Sequence, residues 1–178
     1  MGKQLIFCVE TNSKAKTDWI YIQELIKAYF KIDNDIKLTP VFMGSKQKYN
    51  SNKVKKEISD NIKMYSGESE VILCIDTDQL NQNPTQVKEF ENIKNYAKDK
   101  DYHFVWFNSD IESVFLGRTV TNERKVIEAG NFQRNNGISK VDLNLLKKTT
   151  ENGKGSNIMN VLSKLLDNLD LDNKTNAK

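Results

Sequence analysis

Apolar residues along this chain fall into two kinds of pattern. Residues 5–9 (LIFCV) and 71–75 (VILCI) are unbroken runs without alternation, as expected of parallel strands buried on both faces. Two more strand-like runs are IKLTPVFM at 36–43 and YHFVWF at 102–107. Pro40 lies inside the first of these and cannot donate to a ladder, so that strand is expected at an edge or a bulge. Between the runs come segments of helical length. Residues 17–31 place Trp19, Ile22, Leu25, Ile26 and Phe30 on one face. A second helix is expected over 52–65, and a third over 84–98, where Pro84 suits a first helical position. The order β-α-β-α-β-α-β predicts an α/β fold: a mainly parallel four-stranded sheet with helices on both faces.

Beyond residue 107, NSDIESVFLG reads as a short helical turn, and 118–140 is polar, contains Gly130 and Gly137, and keeps no period. Short helices are expected over 141–148 and over 156–169, the latter with Ile158, Val161, Leu162, Leu165 and Leu166 at helical spacing. The loop at 79–84 (QLNQNP) and a frayed tail at 172–178 complete the pattern. With 178 residues and no evident linker, the chain is expected to form one domain. Residues 1–117 make its α/β unit, and 118–178 add a loop-rich segment and helices packed on it.

Carboxylates close the two most apolar runs. VILCI continues into Asp76, Thr77 and Asp78, and the first run ends in Glu10. Side chains two apart on an extended strand point the same way, so Asp76 and Asp78 are expected to face one point beyond the strand's carboxyl end. Open α/β sheets bind their ligands there. Repelling carboxylates in that position call for a divalent cation or a raised pKa. Against this stands the plain alternative that each acid merely ends a strand in a solvated turn.

Charge adds one asymmetry. The net charge is +3, but residues 1–66 hold 12 lysines against 7 acids, while the remainder holds 15 cationic side chains against 17 acidic ones. Lys46, Lys48, Lys53, Lys55 and Lys56 crowd one region that could meet phosphates, or could be a solvated helix face. Cys8 and Cys74 sit inside apolar runs and read as buried thiols of a reducing compartment. Apolar runs are strand-sized, so no membrane span is expected and a cytoplasmic location is. His103 has no catalytic partner motif, and neither GSKQK nor NGKGS is a phosphate-binding GxxxxGK[ST].

Glu10 with VETNSKAKTDWIY, and Asp76 and Asp78 in IDTD, resemble the TOPRIM domain of topoisomerases, primases and OLD-type nucleases. More narrowly, the chain is similar to RloB-like abortive-infection proteins. Thr17, Asp18 and Tyr21 take the family's Thr-acid pair and nearby aromatic, while Asn108, Ser109 and Glu112 in FNSDIESVFLG take its later polar positions. The likeness covers about residues 4–117. It departs where Thr11 replaces the glycine usual after the glutamate, and where the proline and large aromatic of RloB-like proteins are missing near Asp110.

The resemblance implies a nuclease dependent on Mg2+ or Mn2+ that cleaves DNA or RNA phosphodiesters in phage defence. It implies Glu10, Asp76 and Asp78 as catalytic, metal-holding residues, and Glu112 as a candidate for a second metal position. Glu10 is alternatively a general acid or base. Lys14, Lys16 and Lys46 are candidates to hold phosphate. The competing expectation is a non-catalytic TOPRIM-like module that binds an associated ATPase or another protein of a defence system.

Overall fold

In a computed structural model, residues 2–78 and 83–169 are described; the expectations for most of the 79–84 loop and for the 172–178 tail lie outside them. Four parallel strands form the body of the sheet: β1 (Lys3–Val9), β2 (Ile36–Phe42), β3 (Glu68–Asp76) and β4 (His103–Asn108). Their spatial order is β2-β1-β3-β4, and a fifth strand, β5 (Gly155–Ser156), pairs antiparallel with Phe107 and Asn108. The sheet therefore has one strand more than its apolar runs announce, because two residues carry no periodicity. β2, with Pro40, is an edge strand as its proline predicts.

The crossover helices α1 (Thr17–Tyr29), α2 (Asn52–Met64) and α3 (Pro84–Asp99) follow the first three strands. Strand alternation divides the core in two. Leu5, Phe7, Val9, Ile72, Cys74, Val105 and Phe107 face α1 and the later helices. Ile6, Cys8, Val71, Leu73, Ile75 and Trp106 face α2 and α3, packing on Val54, Ile58, Phe90, Ile93 and Ala97. Each central strand is thus apolar on both faces, which is why its sequence does not alternate. Both cysteines are buried free thiols.

After β4 come α4 (Ile111–Leu116), α5 (Lys125–Arg134) and α6 (Ile158–Leu165), with 3-10 turns at Asn122–Arg124, Gly137–Lys140 and Leu143–Lys147. The helix expected over 141–148 is one of those 3-10 turns, and α5 occupies a stretch read as loop. Its pattern is inverted: Val126 and Ile127 are more than half exposed, while Glu128 is buried between Arg118 and Arg124 at 2.7 and 3.1 Å. Ala129 and Phe132 of α5, and Ile158 and Leu162 of α6, join the same core as α1.

β5 covers only the end of β4. Further back along that edge, Asn157 bridges the strand with its side chain: Nδ2 donates to Phe104 O at 2.9 Å, and Oδ1 accepts from Trp106 N at 3.0 Å. The backbone groups of β4 that would otherwise lack a partner are thereby satisfied.

Candidate functional site

The carboxyl ends of β1 and β3 lie side by side, and Glu10 spans them. Its Oε1 accepts a hydrogen bond from Asp76 N at 2.7 Å, continuing the strand ladder through a side chain. Asp76 follows Ile72 and Cys74 toward α1 and α4, and its Oδ1 accepts from Ile111 N, the first residue of α4, at 3.1 Å. The turn of α4 is fixed by Asp110, whose Oδ1 accepts from Ser113 N at 2.8 Å.

Two further carboxylates stand beside this pair. Asp18, in the first turn of α1, is buried and accepts from Thr11 N at 3.1 Å and from Thr17 Oγ1 at 3.3 Å. Glu112 on α4 is 1% exposed; its Oε2 accepts from Lys125 Nζ at 2.9 Å, while its Oε1 has no hydrogen-bond partner. Lys125 also lies 3.7 Å from Asp110.

Desolvation dominates the electrostatics. It pushes the Glu10 carboxyl up to about 8, opposed by the Asp76 amide and reinforced by the charge on Asp18. Asp18 is raised to about 6 by burial and then by Glu112. Asp76 stands well above the usual carboxylate range, again through burial first and then the charges of Glu10, Asp18 and Glu112. Burial alone would lower Lys125, but its hydrogen bond to Glu112 and the charges of Glu112, Asp110 and Asp76 together outweigh this and hold the ammonium above its ordinary value. Such a set of mutually repelling acids is relieved by protons or by a divalent cation. The buried Glu112 Oε1, without a hydrogen-bond partner, leaves acceptor capacity suited to a hard cation.

Asp78 does not join Asp76 on one face. The period-two argument holds only while the chain stays extended, and β3 ends at Asp76. Asp78 adopts a left-handed φ of 50°, although its N–H still donates to Ser109 O at 2.8 Å. Its carboxylate turns instead to the buried Lys46, which pairs with Asp78, donates to Gln86 Oε1 at 2.8 Å and lies 3.8 Å from Glu89. Lys46 is thus committed to protein partners, not presented in an open loop. Among the described residues no group of three or more His, Cys, Asp and Glu side chains is disposed to hold a metal ion.

Lys14 and Lys16 are exposed on the turn after Glu10. Asn12 shapes that turn: its Oδ1 accepts from Lys14 N and Ala15 N, each at 3.0 Å. Tyr21 is fully buried against Phe115 and Phe132, with an unpartnered hydroxyl. Asn108 Nδ2 donates to Glu151 O at 2.6 Å, and His103 Nε2 lies 3.0 Å from Glu70 on the sheet surface.

Asp18 was legible only as part of the Thr-acid pair. Its place in the acidic group follows from a carboxylate in the first turn of the helix that returns over β1. Lys125 had no signal, because it opens a helix whose apolar pattern is inverted.

Comparison with family models, with curated proteins and with solved structures gives no match. Among the described residues no helix is long and apolar enough to cross a membrane.

Proposed function

We propose that this chain is a TOPRIM-like nuclease dependent on Mg2+ or Mn2+, acting on nucleic-acid phosphodiesters in bacterial phage defence, in the cytoplasm. One observation carries the reading: Glu10 and Asp76 are joined at the carboxyl ends of adjacent parallel strands, beside Asp18 and Glu112, with carboxyls driven toward neutrality. Glu10 and Asp76 would hold the cation, with Glu112 offering its free oxygen and Asp78 joining once it releases Lys46. The ion would supply a water of lowered pKa and charge to offset the scissile phosphate. Asp18 keeps the Thr11 amide, and hence the turn after Glu10, in place. Lys46, on leaving Asp78, is a buried cation able to meet a phosphate oxygen.

The test is cleavage of labelled single-stranded DNA, duplex DNA and tRNA with Mg2+ or Mn2+, comparing wild type with Glu10→Ala and Asp76→Ala. Cleavage by wild type alone supports the reading. Cleavage that both variants retain refutes it. The pairing of Asp78 with Lys46 favours a second reading, a non-catalytic module that binds an ATPase or another defence protein. Wild type that binds Mg2+ in calorimetry yet cleaves none of the substrates would select it.

A further inference from the structure

The lysine-rich region around residues 46–56 resolves into side chains with different commitments. Lys46 is buried on Asp78, Gln86 and Glu89, and Lys56 pairs with Asp60 at 2.5 Å. Lys48 and Lys53 are exposed, and among the described residues neither ammonium lies within 4 Å of a carboxylate. Both line one cavity of about 310 Å³, together with Asn12, Ser13, Phe42 and Gly44.

That cavity adjoins the acidic site. Phe42 is level with Val9 in the β1–β2 register, and Met43 N donates to Val9 O at 2.9 Å. The wall formed by Asn12 and Ser13 begins two residues after Glu10. The cavity therefore opens one strand spacing, about 4.8 Å, to the β2 side of the strand that ends in Glu10. Gly44 has a φ of +83°, and a Cβ there would meet only Lys48 Nζ, at 3.8 Å. Backbone without a side chain thus leaves the approach to Lys48 open. Glu57 on the far wall is the single acid among the lining residues, which leaves the cavity net cationic.

We propose that this cavity is the seat for one nucleotide of a single-stranded nucleic acid, flanking the position where Glu10 and Asp76 act. Lys48 and Lys53 take the phosphate, the Asn12 and Ser13 side chains flank the sugar, and Phe42, packed on the α1-side core, closes the cavity at the end of β2. Lysines neutralise phosphate charge without regard to sequence, and a cavity of about 310 Å³ has room for one unpaired nucleotide and not for a duplex. The acids on the β4 side carry their own lysine in Lys125, so the strand enters from the β2 side.

This inference rests on the nuclease reading only for its substrate class, and the two are separable by experiment. Fluorescence anisotropy in EDTA measures binding of labelled 12-nucleotide oligo(dT), oligo(rU) and a 12-base-pair duplex to wild type, K48A/K53A and K31A/K63A, the last removing equal charge at the opposite end of the sheet. The expected result is tighter binding of single strands than of duplex, and at least about tenfold weaker binding by K48A/K53A. The salt slope should fall by about 1.4, two phosphate contacts at 0.7 each. K31A/K63A should stay within about twofold of wild type. Equal losses in the two double variants, or no single-strand binding by wild type, overturn the subsite. Binding in EDTA without cleavage in Mg2+ supports the subsite while removing the nuclease; cleavage by K48A/K53A with an unchanged KM does the reverse. Oligo(dT) against oligo(rU) separates DNA from RNA.

Discussion

Replacing Glu10 with Gln tests the electrostatics of the acidic site without any assumption about catalysis. Gln keeps the shape and an acceptor for Asp76 N, and removes only the ionisable proton. The Glu10 carboxyl stands at about 8 in the folded chain against an ordinary 4.5. The folded state therefore holds this proton more firmly than the unfolded chain does. Below about pH 4.5 both states are protonated and the group is neutral to stability. As pH rises from there through 8, stability falls, and above 8 the full cost is present. At 1.36 kcal/mol per tenfold change the ceiling is about 5 kcal/mol. Glu10 is partly exposed and shares its titration with Asp76 and Asp18, so screening and coupling reduce this to about 2 kcal/mol. For a domain of this size that corresponds to roughly 4–8 °C in Tm. Scanning calorimetry in EDTA should give Tm values for wild type and Glu10→Gln that differ little at pH 5, where only a minor part of the cost is present, and a variant more stable by that margin at pH 8.5. A variant no more stable at pH 8.5 than at pH 5, relative to wild type, refutes the reasoning.

The remaining expectations concern neighbouring contacts. Saturating Mg2+ at pH 8.5 should raise the Tm of wild type and leave Asp76→Asn nearly unchanged; equal shifts would dismiss these carboxylates as the binding site. Lys125→Met strands Glu112 in the core without its counter-charge and should cost on the order of 3 kcal/mol in urea unfolding, most of it regained in the double variant with Glu112→Gln. A single variant as stable as wild type would contradict the ion pair at 2.9 Å. The Lys46 and Asp78 pair should show a coupling below about 1 kcal/mol in a double-mutant cycle, because the Asp78 side chain is 48% exposed; a coupling of several kcal/mol would mean it is shielded from water. Asn157→Ala leaves Phe104 O and Trp106 N without partners and should cost about 2 kcal/mol, read by the urea midpoint, with no change expected for a surface control such as Asn95→Ala.

The sheet was legible because burial on both faces leaves an unambiguous mark: VILCI and LIFCV have no polar alternation to hide, and Pro40 marks its own edge. Glu10 and Asp76 were legible for the same reason, as the first carboxylates to interrupt those runs. The setting of Asp78 is not legible because alternation ends with β3 at Asp76, and Asp78 itself takes a left-handed conformation that no local pattern announces. Lys46 looked like a loop lysine because its partners Gln86 and Glu89 lie 40 or more positions away. α5 was missed because it buries a glutamate and exposes Val126 and Ile127, the reverse of the amphipathic rule. Two-residue β5 lies below the length at which any period exists.

The amide of Asn157 has a consequence for how this molecule meets its own copies. A carboxamide side chain has the same donor and acceptor as a peptide unit, so it closes the exposed margin of β4 as a strand would. Beyond these two bonds it keeps one N–H and one lone pair of a single amide, not the repeating row that a strand would offer onward. The repeating ladder therefore stops at that residue on this margin. At the far margin Pro40 withholds a donor from β2. Each border of the sheet thus carries one residue that interrupts the row of backbone groups open to a neighbouring strand.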